Sequence, residues 1–96
     1  MSPLTTADLD PATLAALFAD LEALTEIDEV LIKGAASSHA GVAGLAQARL
    51  ALDNGGARAI QIRYRWAGKA WLDTLMRTPN CVRLVRSPVV STPEVP

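Results

Sequence analysis

Several basic residues gather around a tryptophan in the second half of this chain: Arg63, Arg65, Lys69 and Trp71, with Asp73 close behind and Arg83 beyond a turn. Cations neutralise phosphate or carboxylate, and an indole offers a broad flat contact surface. Such a set suits docking onto a protein or stacking on single-stranded nucleic acid. Trp and Arg are the residues most enriched where protein interfaces concentrate their binding energy. The leading reading is therefore a small non-enzymatic accessory or assembly protein that binds a larger protein or self-associates. Nucleic-acid or anionic-ligand binding is the alternative, disfavoured by a sequence pI near 5.7 and by the lack of an RNP-like motif. Asp73, the only acid between Asn54 and Glu94, is expected to sit on the same face as a cross-strand partner of Arg63.

A second set, Gly34, Ser37, Ser38, His39 and Gly41, joins an expected strand to an expected helix start. Unpaired N–H groups and the helix dipole favour an anion at such a place. The loop lacks both GxxxxGK[ST] and GxGxxG, so a plain connection capped by Ser37 or Ser38 is the simpler expectation. A small enzyme using Ser37, Ser38 and His39 is the third reading. It requires a hydrogen-bond partner for His39 that sequence neighbourhood alone does not supply.

His39 is the only histidine and Cys81 the only cysteine, short of the three or four ligands that zinc takes. No metal and no cofactor is expected. Arg77, Arg83 and Arg86 would favour the Cys81 thiolate, yet no base accompanies it, so Cys81 reads as a quiet, partly buried residue and no catalytic residue is assigned. One cysteine also forbids an internal disulfide, which points to a reducing, cytoplasmic setting. Residues 1–10 carry two aspartates and no Lys or Arg, unlike a secretory n-region, and no apolar run is long enough to span a bilayer.

These residues need a scaffold, and 96 residues suit one core. Half the residues are hydrophobic, enough to fold, although many are alanines that bury little surface each. Charge is uneven: residues 1–54 hold eight acids and two bases, whereas residues 55–96 hold two acids and seven bases.

Asp10-Pro11 reads as an N-cap followed by proline at the first helical position. Leu14, Leu17, Phe18, Leu21 and Leu24 then form one apolar stripe, with Thr13, Asp20 and Glu22 opposite. Asp20, Glu22, Glu26, Asp28 and Glu29 crowd the end of this helix, where the dipole favours cations, so arginines of this chain or of a neighbour should compensate them. The run from Asp28 to Gly34 reads as a strand. Val42, Leu45, Arg49 and Leu52 mark a second helix stopped by Asn54-Gly55-Gly56.

From Arg58 the period becomes two: Ile60, Ile62 and Tyr64 alternate with Gln61, Arg63 and Arg65. Trp66-Ala67-Gly68 is expected as a three-residue hairpin loop pairing Tyr64 with Ala70. That register puts Ala70, Leu72, Thr74 and Met76 on the core face and Trp71 and Asp73 outside. A two-residue loop would set Asp73 opposite Ile62 in the core, costly for a carboxylate without a partner. After a turn at Thr78-Pro79-Asn80, Cys81 to Arg86 returns as a third strand.

The expected fold is α+β: two helices on one face of a small mixed or antiparallel sheet, ordered α-β-α-β-β-β, with a C-terminal meander. It occupies residues 1–87 as a single domain, followed by a flexible Pro-rich tail at 88–96.

Overall fold

The structure, a computed structural model, describes residues 5–33, 38–39, 41–55 and 57–89. Its elements run β1 (Thr5–Leu9), α1 (Pro11–Leu24), β2 (Glu26–Lys33), β3 (Ser38–His39), α2 (Gly41–Asp53), β4 (Ala59–Trp66), β5 (Lys69–Arg77) and β6 (Val82–Pro88). All six strands join one sheet in the order β1-β6-β5-β4-β2-β3, and every pairing is antiparallel. The α+β class and the C-terminal meander of β4, β5 and β6 are as expected. Strands β1 and β3 are additions: β1 pairs with β6 and β3 with β2, and they form the two edges of the sheet.

Helix α1 starts where its cap predicts. Asp10 stays extended, and its carboxylate accepts the Thr13 amide at 2.7 Å. That bond holds the Asp10 carboxyl below its ordinary range. Leu14, Phe18 and Leu21 are buried and Leu17 partly so, whereas Leu24 ends the stripe 64% exposed. The Thr25 hydroxyl donates to the Leu21 carbonyl at 2.6 Å and satisfies one orphan acceptor of the last turn.

Helix α2 ends in a left-handed Gly55 (φ 78°), after which the Ala57 amide donates to the Ala51 carbonyl. Leu45, Ala48 and Leu52 face inward, and Gly44 is buried beside them. Both helices pack on the same side of the sheet, in one cluster with Leu9, Val30, Ile32, Ile60, Ile62, Tyr64, Leu75, Val82 and Leu84. Arg49 of α2 lies over the Phe18 ring of α1, 5.6 Å from its centroid.

Two expectations about segments change. Ser38 does not cap α2: it pairs with Leu31 in β3, and α2 begins at Gly41. The last strand runs to Pro88, and the Val89 amide still donates to the Ala70 carbonyl, so ladder bonding passes the boundary placed after residue 87. Residues 90–96 lie outside the described residues.

The hairpin register differs as well, with larger consequences. The loop has two residues, Ala67 and Gly68, and Trp66 pairs with Lys69, Tyr64 with Trp71 and Ile62 with Asp73. Both loop residues have positive φ, 54° and 78°, the signature of a type I′ turn. Alanine in that region costs roughly 1–2 kcal/mol, so turn chemistry does not select this register. The strands must select it, through what each register buries.

Candidate functional site

One residue of register shift exchanges the two faces of a strand. Here it turns Trp71, Asp73 and Leu75 toward the helices and leaves Ala70, Leu72, Thr74 and Met76 on the outer face. Asp73 is 0% exposed, the buried position the sequence reading rejected for want of a partner. The partner is on the next strand. Arg86 stands directly opposite Asp73, its Nε 2.9 Å from Oδ1 and its Nη2 2.8 Å from Oδ2. The Tyr64 hydroxyl donates to Oδ1 from the other side at 3.0 Å. A two-pronged guanidinium bond of this kind is the geometry that best offsets the desolvation of a buried carboxylate. The expected Asp73–Arg63 pair is replaced by Asp73–Arg86.

Burial pushes the Tyr64 phenol well above its ordinary value, and the charge of Asp73 raises it further. The folded chain therefore holds this proton more tightly than the unfolded chain does. Stability from Tyr64 is intact below about pH 10, where both states are protonated, and falls as pH rises beyond it. Tyr64→Phe is expected to cost about 1–2 kcal/mol at neutral pH by removing a bond to a charged acceptor. It should also flatten the alkaline decline; urea titrations at pH 8 and 10.5 report both effects, and an equally steep decline in the variant would contradict this assignment.

Arg86 and Tyr64 also border a cleft of about 220 Å³ with Leu17, Asp20, Leu21, Leu24, Thr25 and Trp66. Trp71, expected on the surface, lies half-buried on the helix side, and its Nε1 is buried without a hydrogen-bond partner among the described residues. The Trp71 indole and the guanidinium groups of Arg63, Arg65 and Arg83 are thus on opposite faces of the sheet, a correction to the single surface the sequence suggested.

Arg63, Arg65 and Arg83 do occupy the outer face, each beside a carboxylate. Arg63 lies 3.9 Å from Glu29, Arg65 lies 3.0 Å from Glu26 and 3.1 Å from Asp28, and Arg83 lies 2.9 Å from Asp8. Hydrogen bonding to Asp28, aided by the charges of Asp28 and Glu26, raises the Arg65 guanidinium above its ordinary value. Three of the five acids around the end of α1, Glu26, Asp28 and Glu29, thereby find cations within the chain, across the β2–β4 pair. Lys69 closes the hairpin opposite Trp66, both exposed.

Between these ion pairs the outer face carries apolar side chains around one polar pair, Gln61 and Thr74, whose side chains bond at 3.5 Å. An antiparallel sheet with one wet side ordinarily alternates apolar-in and polar-out. In β5 the outward residues are Ala70, Leu72, Thr74 and Met76, flanked by Val85 on β6, with Leu31 two strands away on β2. The helices pack on the other face, so no described helix covers these side chains. Sequence reasoning missed this patch because it assigned Leu72 and Met76 to the core. The near-equal apolar content of both faces of β5 was the available signal.

Of the 34–41 loop, Gly34 and Ser37 lie outside the described residues, Ser38 and His39 form β3, and Gly41 opens α2. Cys81 is half-buried at the turn before β6, its sulfur 3.2 Å from the Thr78 hydroxyl, which also accepts the Cys81 amide at 3.0 Å. Among the described residues no group of three or more His, Cys, Asp or Glu is placed to hold a metal ion, and no helix is long and apolar enough to cross a membrane.

Fold and site together define a two-layer α+β protein with helices on one side of an antiparallel sheet and, on the other, an ion-pair-rimmed face that carries Leu72, Met76 and Val85. The chain matches no protein-family model, no curated protein and no solved structure.

Proposed function

We propose that this chain is a small non-enzymatic accessory or assembly protein of a reducing, cytoplasmic setting, which binds a protein surface through the outer face of its sheet. The observation that carries this reading is the outward-facing apolar stripe Leu72, Val85 and Met76 on strands that lie inside the sheet, with Met76 exposed and Leu72 and Val85 half-buried. Apolar surface framed by charge is how specific protein interfaces are built, with the apolar centre supplying affinity and the rim supplying orientation. Arg63, Arg65 and Arg83 belong to that rim. Their carboxylate neighbours favour a protein partner over nucleic acid, because a polyanion would have to displace an acid from each guanidinium.

The test is site-specific photo-crosslinking in an extract of the native cells. A benzophenone side chain at position 72 is expected to give discrete protein adducts, whereas one at position 22, exposed on α1, is expected to give none. Equal labelling from both positions, or none from position 72, would overturn the assignment of this face.

A further inference from the structure

We propose that the protein docked on the outer face is a second copy of this chain, packed sheet to sheet about a two-fold axis that crosses the strands near Thr74. The inference rests on the reading of that face as the docking surface, and it names the partner.

Charge is the first argument. The outer face carries the acids Asp8, Glu26, Asp28 and Glu29 and the cations Lys33, Arg63, Arg65 and Arg83, which balance. A balanced face approaches its own copy without net repulsion, whereas a face of one sign cannot. Lys33 alone among these cations lacks a carboxylate neighbour among the described residues.

Symmetry is the second. The rows of the sheet run Ser87-Leu72-Arg63-Glu29, then Val85-Thr74-Gln61-Leu31, then Arg83-Met76-Ala59-Lys33. An in-plane two-fold axis along the middle row exchanges the outer two. Leu72 then meets Met76 of the second copy, Thr74 meets Thr74, and Lys33 comes opposite Glu29 beside Glu26. Arg63 falls over Ala59, and Arg83 over Ser87, so no like charges stand directly opposite one another. Lys33 thus gains acids through the same operation that covers the apolar stripe, consistent with an isologous contact.

Area is the third. Five strands spaced ~4.8 Å apart and about seven residues long present a face of roughly 24 by 23 Å. Two such faces bury about 1,100 Å² even in flat projection, above the ~1,000 Å² that a biological interface should clear. Facing sheets pack ~10 Å apart, a gap that leucine, methionine and valine side chains fill.

Sedimentation equilibrium of the purified chain at tens of micromolar is expected to give a species of about 20 kDa, twice the 10.1 kDa chain. Leu72→Glu should raise the dissociation constant at least ~100-fold, since each copy would bury a carboxylate. Lys33→Glu, at an exposed position away from the core, should raise it about 10-fold, with circular dichroism unchanged in both variants. Thr74→Cys in a Cys81→Ser background should cross-link to a covalent dimer with a short bismaleimide, while Arg49→Cys on the helix side should not. A monomer throughout this range, or a dimer unaffected by Leu72→Glu, would overturn the inference. If that monomer still gave position-72 adducts with a different protein in the extract, the docking face would stand and only the second copy would fall; no adducts at all would remove both.

Discussion

Arg86→Ala is expected to destabilise the fold by about 3–5 kcal/mol, because it leaves a carboxylate in the core with a single donor. Asp73 is 0% exposed, and among the described residues only the Tyr64 hydroxyl would bond it without Arg86. Asp73→Ala should cost less, since the Arg86 side chain is 34% exposed and can turn its guanidinium toward water. The double variant Asp73→Leu with Arg86→Met should recover most of the loss, as apolar replacements of buried ion pairs commonly do. Urea denaturation of the set measures the coupling between the two positions. Single substitutions costing under ~1 kcal/mol each would mean that the pair does not hold this strand in place.

The second large effect concerns two leucines three residues apart. Leu75 is fully buried between Ile60 and Leu84, so Leu75→Ala should cost about 2–5 kcal/mol. Leu72 lies on the outer face opposite Arg63 and Ser87, and Leu72→Ala should cost under ~1 kcal/mol at concentrations where the chains are single. A three-residue hairpin loop would invert this order, with Leu72 beneath the helices and Leu75 in solvent. Thermal or urea unfolding of the two variants therefore reads the register of β5 through energetics.

Much of the scaffold was legible from local signals. The Asp10-Pro11 start, the Leu14, Phe18 and Leu21 stripe, the glycine stop of α2 and the Ile60, Ile62, Tyr64 alternation each follow from propensity, capping or period, which act within a few residues. What escaped the sequence depends on distant partners. Strand β1 is short and weakly apolar, and it is a strand because its ladder on β6 and the Asp8–Arg83 bond hold it there. The hairpin register failed for the same reason: Asp73 opposite Ile62 looked unaffordable until β6 brought Arg86 across from it. Alternation could not decide the matter, because Ala70, Leu72, Thr74 and Met76 are about as apolar as Trp71, Asp73 and Leu75. The candidate site inherited that error, since Trp71 moved inward and Leu72 outward together.

The ion-paired core and the apolar docking face are two consequences of one alignment between β4 and β5, so that alignment is the most direct point of attack. Nuclear Overhauser contacts across the hairpin of the isotope-labelled protein measure it. Cross-strand contacts linking Tyr64 with Trp71 and Ile62 with Asp73 are expected from this alignment. Contacts linking Tyr64 with Ala70 and Ile62 with Leu72 instead would return Asp73 to the surface, close the apolar face and contradict it.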